Sequence, residues 1–128
     1  MSFALAARVA LALMITSVAA PVLAAGDPAA GQKVFNKCKT CHEADQAKNK
    51  VGPNLVGLFG RKAGSVADFK YSDAMKNSNV VWTETTVAQY VKQPKEFIAG
   101  NKMVFPGLKT DQEVADLIAY LKQATTPK

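Results

Sequence analysis

Apolar side chains recur at helical spacing in three stretches of the chain. The clearest is Val114, Leu117, Ile118 and Leu121, at i, i+3, i+4 and i+7, behind Thr110 and Glu113 in the spacing of a capping box. A helix opening after Thr110 is predicted there. Near the other end Ala30, Val34, Phe35 and Cys38 share a face. Asp27 stands as N-cap and Pro28 falls in the first turn, where its missing N–H costs nothing. Between them Thr83 opens a helix whose face carries Val87, Tyr90 and Val91 and which Pro94 stops. Ser72 caps a shorter helix over 72–77, and one more turn is predicted over 96–99. From 43 to 70 no period persists, and Gly52, Pro53, Gly57, Gly60 and Gly64 mark it as loop. A loop of that length in a compact domain needs something to wrap around. No stretch alternates with period two over strand length, so the expected class is all-α, without repeats or a second domain.

Ahead of these elements lies a different kind of segment. Arg8 is its one charge, an apolar run extends from Val9 to Val22, and Val22 and Ala24 offer the small residues of a cleavage site after Ala24. The run has 14 residues and contains Thr16, Ser17 and Pro21. It is short of the roughly 20 needed to span a membrane, so a cleaved secretory leader over 1–24 is preferred to a retained anchor. Residues 25–128 then form one domain of 104 residues. At about 100 residues a core is marginal by itself, and a buried cofactor would add apolar area to it. The formal charge of +6 falls to +5 without Arg8. A basic balance suits nucleic acid, an anionic membrane or an acidic protein; with no nucleic-acid motif and no basic run, an acidic protein partner is preferred.

The chemistry concentrates in Cys38-Lys39-Thr40-Cys41-His42. Two cysteines three apart lie on one side of a helical turn, where their sulfurs can meet two vinyl groups on one porphyrin edge. The next residue, His42, can carry its imidazole to the iron, and this run marks covalent haem c attachment. A zinc site would need four nitrogen or sulfur ligands, and the chain has two cysteines and one histidine. A redox dithiol would be expected beside a βαβ pattern, which the periodicity does not offer. Attachment outside the cytoplasm agrees with an export leader.

A haem iron has a second axial position, and no second histidine exists to fill it. Beyond the leader two methionines remain, Met75 and Met103. Met75 falls in a predicted helix and reads as core filler. Met103 lies in Gly100-Asn101-Lys102-Met103-Val104-Phe105-Pro106-Gly107, where glycines and a proline allow a loop to fold tightly over a porphyrin face. If the ligand pair is histidine and methionine, Met103 is the choice.

Taken in order, CKTCH, VGPNLVGLFGRKAG, YSDAMKNSNVVW, YVKQPKEFIAGNKMVFPG and DLIAYLK resemble the mitochondrial-type class I cytochromes c in their bacterial periplasmic form, over about residues 31–122. The resemblance implies a cytochrome c fold, with N- and C-terminal helices crossing beside the haem through Gly31, Phe35, Leu117 and Tyr120. It implies thioethers at Cys38 and Cys41, His42 as proximal and Met103 as distal ligand. Pro53 would accept a hydrogen bond from the histidine through its carbonyl. Arg61, Tyr71 and Trp82 would surround the haem propionates, and Tyr90 would bring its hydroxyl near the methionine sulfur. Lys37, Lys50, Lys95, Lys102 and Lys109 would ring the haem edge and meet acidic patches on redox partners.

Three positions depart from the family. Met75 stands where asparagine is common, so a spare sulfur lies near the iron as a substitute ligand. Glu96 replaces a lysine that can displace methionine at high pH, leaving Lys102 as the candidate for that exchange. Asn101 occupies a usual threonine position.

The expected function is therefore that of a soluble, monomeric periplasmic carrier and not an enzyme. It would take single electrons from a quinol:cytochrome c reductase to a terminal oxidase or photosynthetic reaction centre. Acceptance from a periplasmic dehydrogenase is the variant. A peroxide- or gas-binding haem protein would need an open or labile sixth site and would bind carbon monoxide when reduced. A haem-free thiol oxidoreductase would show a titratable Cys38–Cys41 pair.

Overall fold

The computed structural model describes residues 25–128, so the leader and its cleavage point lie outside the described residues. Five helices follow one another: α1 (Pro28–Phe35), α2 (Asp73–Lys76), α3 (Glu84–Lys92), α4 (Pro94–Phe97) and α5 (Asp111–Ala124). Among the described residues the one β-type pairing is an isolated antiparallel bridge between Lys62 and Val81, so the class is all-α as expected. None of the described helices is long and apolar enough to cross a membrane.

The caps explain where the helices begin. Asp27 accepts from the Ala29 amide with Pro28 at the first helical position, and Ser72 accepts from the Met75 amide. Thr110 likewise accepts from the amide of Glu113 at 3.1 Å. The Glu113 carboxylate takes Lys37 Nζ at 3.2 Å, which holds its pKa below the ordinary carboxylate value. The reciprocal box forms elsewhere, at α3, where Thr83 and Thr86 each bond the other's backbone N–H. A threonine hydroxyl serves there in the glutamate's role, being both donor and acceptor.

Two predicted boundaries shift. The helical face drawn through Cys38 ends earlier, for α1 stops at Phe35 and Cys38 lies in the tighter turns that follow. Asn36, Cys38, Thr40 and Cys41 are weak helix formers, and the apolar stripe has run out. The turn expected over 96–99 is instead α4, two residues earlier. Pro94 ends α3 and in the same place supplies the first residue of α4, where a proline needs no N–H partner.

Crossing of α1 over α5 is the principal helix contact. Phe35 and Tyr120 stack with ring centroids 5.3 Å apart, and Leu117 is 1% exposed beneath them. Asp116, buried in the same seam, accepts from the Asp27 N–H at 2.8 Å and the Gln112 amide at 2.9 Å, tying the start of α1 to α5. At the closest approach a Cβ on Gly31 would lie 1.9 Å from the Asp116 carbonyl oxygen and 2.7 Å from Tyr120 Cβ. Since the obstacle is backbone, the helices would have to part. Gly31→Ala should cost about 3 kcal/mol, at the upper end of overpacking penalties. That lowers the Tm by roughly 12–24 °C for a domain of this size, as thermal unfolding of the holoprotein would read; an unchanged Tm would mean the helices do not meet there.

The long segment between 43 and 70 is held by backbone bonds to distant parts of the chain. Leu55 N donates to Glu43 O, Gly57 N to Thr125 O, Gly60 N to Trp82 O, and Trp82 N to Arg61 O. Arg61 and Trp82 thereby arrive side by side.

Candidate haem site

Beyond α1 the chain descends through turns that carry the motif: Cys38 N to Phe35 O, Cys41 N to Cys38 O, and His42 N to Cys38 O at 2.9 Å. Both thiols are free and half-buried on this turn. Burial, reinforced by Cys41, pushes the Cys38 thiol up to about 11. A thiol that high is a poor nucleophile at neutral pH, the opposite of what a redox dithiol needs. Among the described residues no group of three or more His, Cys, Asp or Glu is arranged to hold a metal ion.

His42 Nδ1 lies 2.7 Å from the Pro53 carbonyl oxygen. A carbonyl only accepts, so the proton sits on Nδ1 and the Nε2 lone pair is free for a metal. Burial, helped by the Arg61 and Lys50 charges, moves the imidazole pKa below its ordinary value despite the Pro53 bond, which favours the neutral ligating form. Gly52, noted in the sequence only as a loop marker, makes room for this ring: a Cβ there would fall 2.3 Å from His42 Cε1 and 2.7 Å from Nδ1. A glycine directly before Pro53 was the one available signal.

Arg61 is half-buried and gives Nη1 to the carbonyls of Asn54 and Val56, at 3.0 and 3.1 Å. Its Nε is buried without a partner among the described residues. A buried guanidinium donor left open is what an arriving carboxylate such as a haem propionate would satisfy. Nearby, Tyr71 accepts the Val66 amide at 3.1 Å, and Trp82 is buried with its ring 5.0 Å from that of Tyr90. Thiols and imidazole on one turn fit the attachment and ligation of a haem c, and the open guanidinium fits a propionate.

Met103 is half-buried in the strap between α4 and α5. Gly100 and Gly107 bracket it with φ of +89° and +104°, left-handed values that suit glycine. The strap closes onto α3 through Leu108 N to Val91 O at 2.8 Å. Tyr90, whose phenol burial pushes up to about 12, gives its hydroxyl to Asn101 Oδ1 at 3.3 Å, two residues from Met103. Met75 is half-buried in α2 against the core, in keeping with a filler.

Of the five lysines, Lys95, Lys102 and Lys109 are exposed. Lys37 is exposed but paired with Glu113, and Lys50 is partly buried, bonded to Glu43 at 3.3 Å and to the Lys39 carbonyl.

Comparison with known proteins agrees with this geometry. The family model for cytochrome c matches residues 28–125. Cytochrome c2 of Blastochloris viridis is 47% identical over 117 residues, covering 91% of this chain and 92% of its own. Cytochrome c of Chlamydomonas reinhardtii is 55% identical over 103 residues, 79% of this chain and 92% of its own. Among solved structures, cytochrome cH from Methylobacterium extorquens superimposes with a TM-score of 0.72 at 46% identity, over 76% of this chain and 98% of that one. With a helical architecture, an attachment turn and a family match spanning nearly all the described residues, the chain belongs to the cytochrome c family, whose members carry one covalently bound haem c.

Proposed function

We propose that residues 25–128, freed of the leader 1–24, work in the periplasm as a soluble carrier of single electrons. It would run from a quinol:cytochrome c reductase to a terminal oxidase or photosynthetic reaction centre. In this reading Cys38 and Cys41 form the thioethers, His42 is the proximal ligand and Met103 the distal one. The observation that carries it is the His42 Nδ1 bond to Pro53, which fixes tautomer and ring orientation on the turn that also holds both thiols.

When bound, haem supplies the one-electron couple between ferric and ferrous iron. The chain's residues do the rest. Pro53 keeps the Nδ1 proton in place in both redox states, so His42 need not move. Arg61 Nε, Tyr71 and Trp82 would offer donors to the haem propionates, with the guanidinium alone opposing their charge. The Met103 strap would cover the haem and help to keep water and oxygen from it.

Partner choice rests on the exposed lysines. Steering by such charges raises association rates and is screened by salt, as the Debye length falls from about 30 Å at 0.01 M to about 8 Å at 0.15 M. Charge reversal at Lys95 or Lys109 should slow reduction by a quinol:cytochrome c reductase about tenfold at low salt, and the difference should fade at 0.15 M. Lys50→Gln should change it far less, because that ammonium already serves Glu43 and the Lys39 carbonyl. Stopped-flow rates against ionic strength check this; a rate independent of salt in the unmodified protein would refute docking by charge.

A further inference from the structure

We propose that Asn101 is the residue that positions the Met103 strap, its carboxamide tying the ligand-bearing backbone to α3 and α4. The proposal rests on the reading of Met103 as distal ligand. Nδ2 of Asn101 donates to Pro94 O and to Ile98 O, both at 2.8 Å. Its Oδ1 accepts the Met103 N–H at 2.8 Å and the Tyr90 hydroxyl at 3.3 Å. Two donors and two lone pairs are all that a carboxamide has, and all are used. The orientation is dictated by the partners, because the reverse would set Oδ1 against two carbonyl oxygens and Nδ2 against an N–H.

Each partner explains part of the effect. Helix α4 has four residues, and the carbonyls of its only turn and of its cap residue Ile98 can take donors from outside the helix. Asn101 supplies this through Nδ2, so the strap begins from a fixed point. Beyond it the backbone is on its own: from Lys102 to Gly107 the Met103 N–H alone makes a hydrogen bond among the described residues, and it makes it to Asn101. Val104 beside it is 99% exposed, so packing holds only one side of the strap. Threonine, with one hydroxyl donor, cannot hold both the Pro94 and the Ile98 carbonyls and also leave two lone pairs directed at Met103 and Tyr90. The Asn101 network therefore sets how often the strap opens and yields the iron to an outside ligand.

The test uses the mature holoprotein and imidazole, a ligand that enters only when Met103 leaves. Asn101→Thr, Asn101→Ala and Asn101→Asp should each raise the affinity of the ferric form for imidazole by about tenfold or more. Exchange of the Met103 amide proton should quicken by a similar factor in Asn101→Ala. The aspartate variant is informative because it keeps the size and the acceptor for Met103 but sets an oxygen against the α4 carbonyls. Asp27→Ala, which removes the side-chain cap of α1 away from the strap, controls for general loss of stability. If the Asn101 variants bind imidazole no more tightly than Asp27→Ala, the proposal is overturned. Should Met103→Ala keep the near-infrared sulfur band of the ferric protein, the ligand reading fails and the proposal with it. Loss of that band with unchanged imidazole affinity in Asn101→Thr sinks the proposal alone.

Discussion

Replacing Met103 by alanine should abolish the weak near-infrared absorption that reports sulfur bound to ferric iron and lower the reduction potential by roughly a few tenths of a volt. Axial ligands span about 0.8 V in haem proteins, and a thioether lies towards the high end because it favours the softer ferrous state. Alanine leaves the strap in place: Asn101 bonds the backbone N–H at residue 103, not its side chain, and Gly100, Gly107 and the Leu108 bond to Val91 are untouched. The variant should therefore fold and mature, while its reduced form should acquire carbon monoxide binding that the parent is expected to lack. Optical titration against a redox mediator and a carbon monoxide difference spectrum check both. If the band persists, Met75 becomes the ligand, since residues 25–128 hold no other methionine; an unchanged potential with an unchanged band would remove Met103 from the site.

The attachment turn and the glycine-bracketed strap were both legible because each is local. Cys38, Cys41 and His42 announce themselves by spacing, and the strap that carries Met103 by the glycines and proline around it. Helices α1, α3 and α5 were legible for a related reason: each buries one stripe, and a stripe leaves a period. What the sequence hid depends on partners far along the chain. α4 was displaced by two residues in the prediction because four residues carry no period, and its start depends on whether Pro94 ends one helix or also begins another. The 43–70 segment reads as unstructured, yet its amides pair with Thr125 and Trp82, contacts no local pattern encodes. Asn101 stood out only as a departure from a usual threonine, and that it joins three elements follows from the fold alone.

Gly52 is the sharpest case of a site residue that the sequence conceals, and its substitution should have the largest effect on maturation. Its backbone does not occupy the left-handed region, so alanine there meets no conformational penalty and the whole cost comes from the ring beside it. The new Cβ would lie 2.3 Å from Cε1, 2.7 Å from Nδ1 and 2.8 Å from Nε2 of His42, inside van der Waals contact along the whole edge of the imidazole. A free side chain would swing away at small cost. His42 cannot do so without breaking its 2.7 Å bond to Pro53 and turning Nε2 away from the place both thiols define. Nor does the backbone yield easily: the Gly52 N–H is bonded to Cys41 O, and its carbonyl accepts from Lys50 N. Overpacking at a fixed group of this kind costs about 3 kcal/mol, and residues that position a metal ligand typically change affinity or activity by about 10- to 100-fold. Gly52→Ala should thus give several-fold less holoprotein in a host that matures the parent, with a lowered Tm and an altered ferric spectrum in what survives. Gly60→Ala provides the contrast, since nothing lies within 4 Å of a Cβ there and its φ of +96° makes the penalty conformational alone. It should lose stability and keep its spectrum. Equal holoprotein yield and an identical ferric spectrum in Gly52→Ala would show that the ring has room to move, and that the Pro53 bond does not hold His42 in its working orientation.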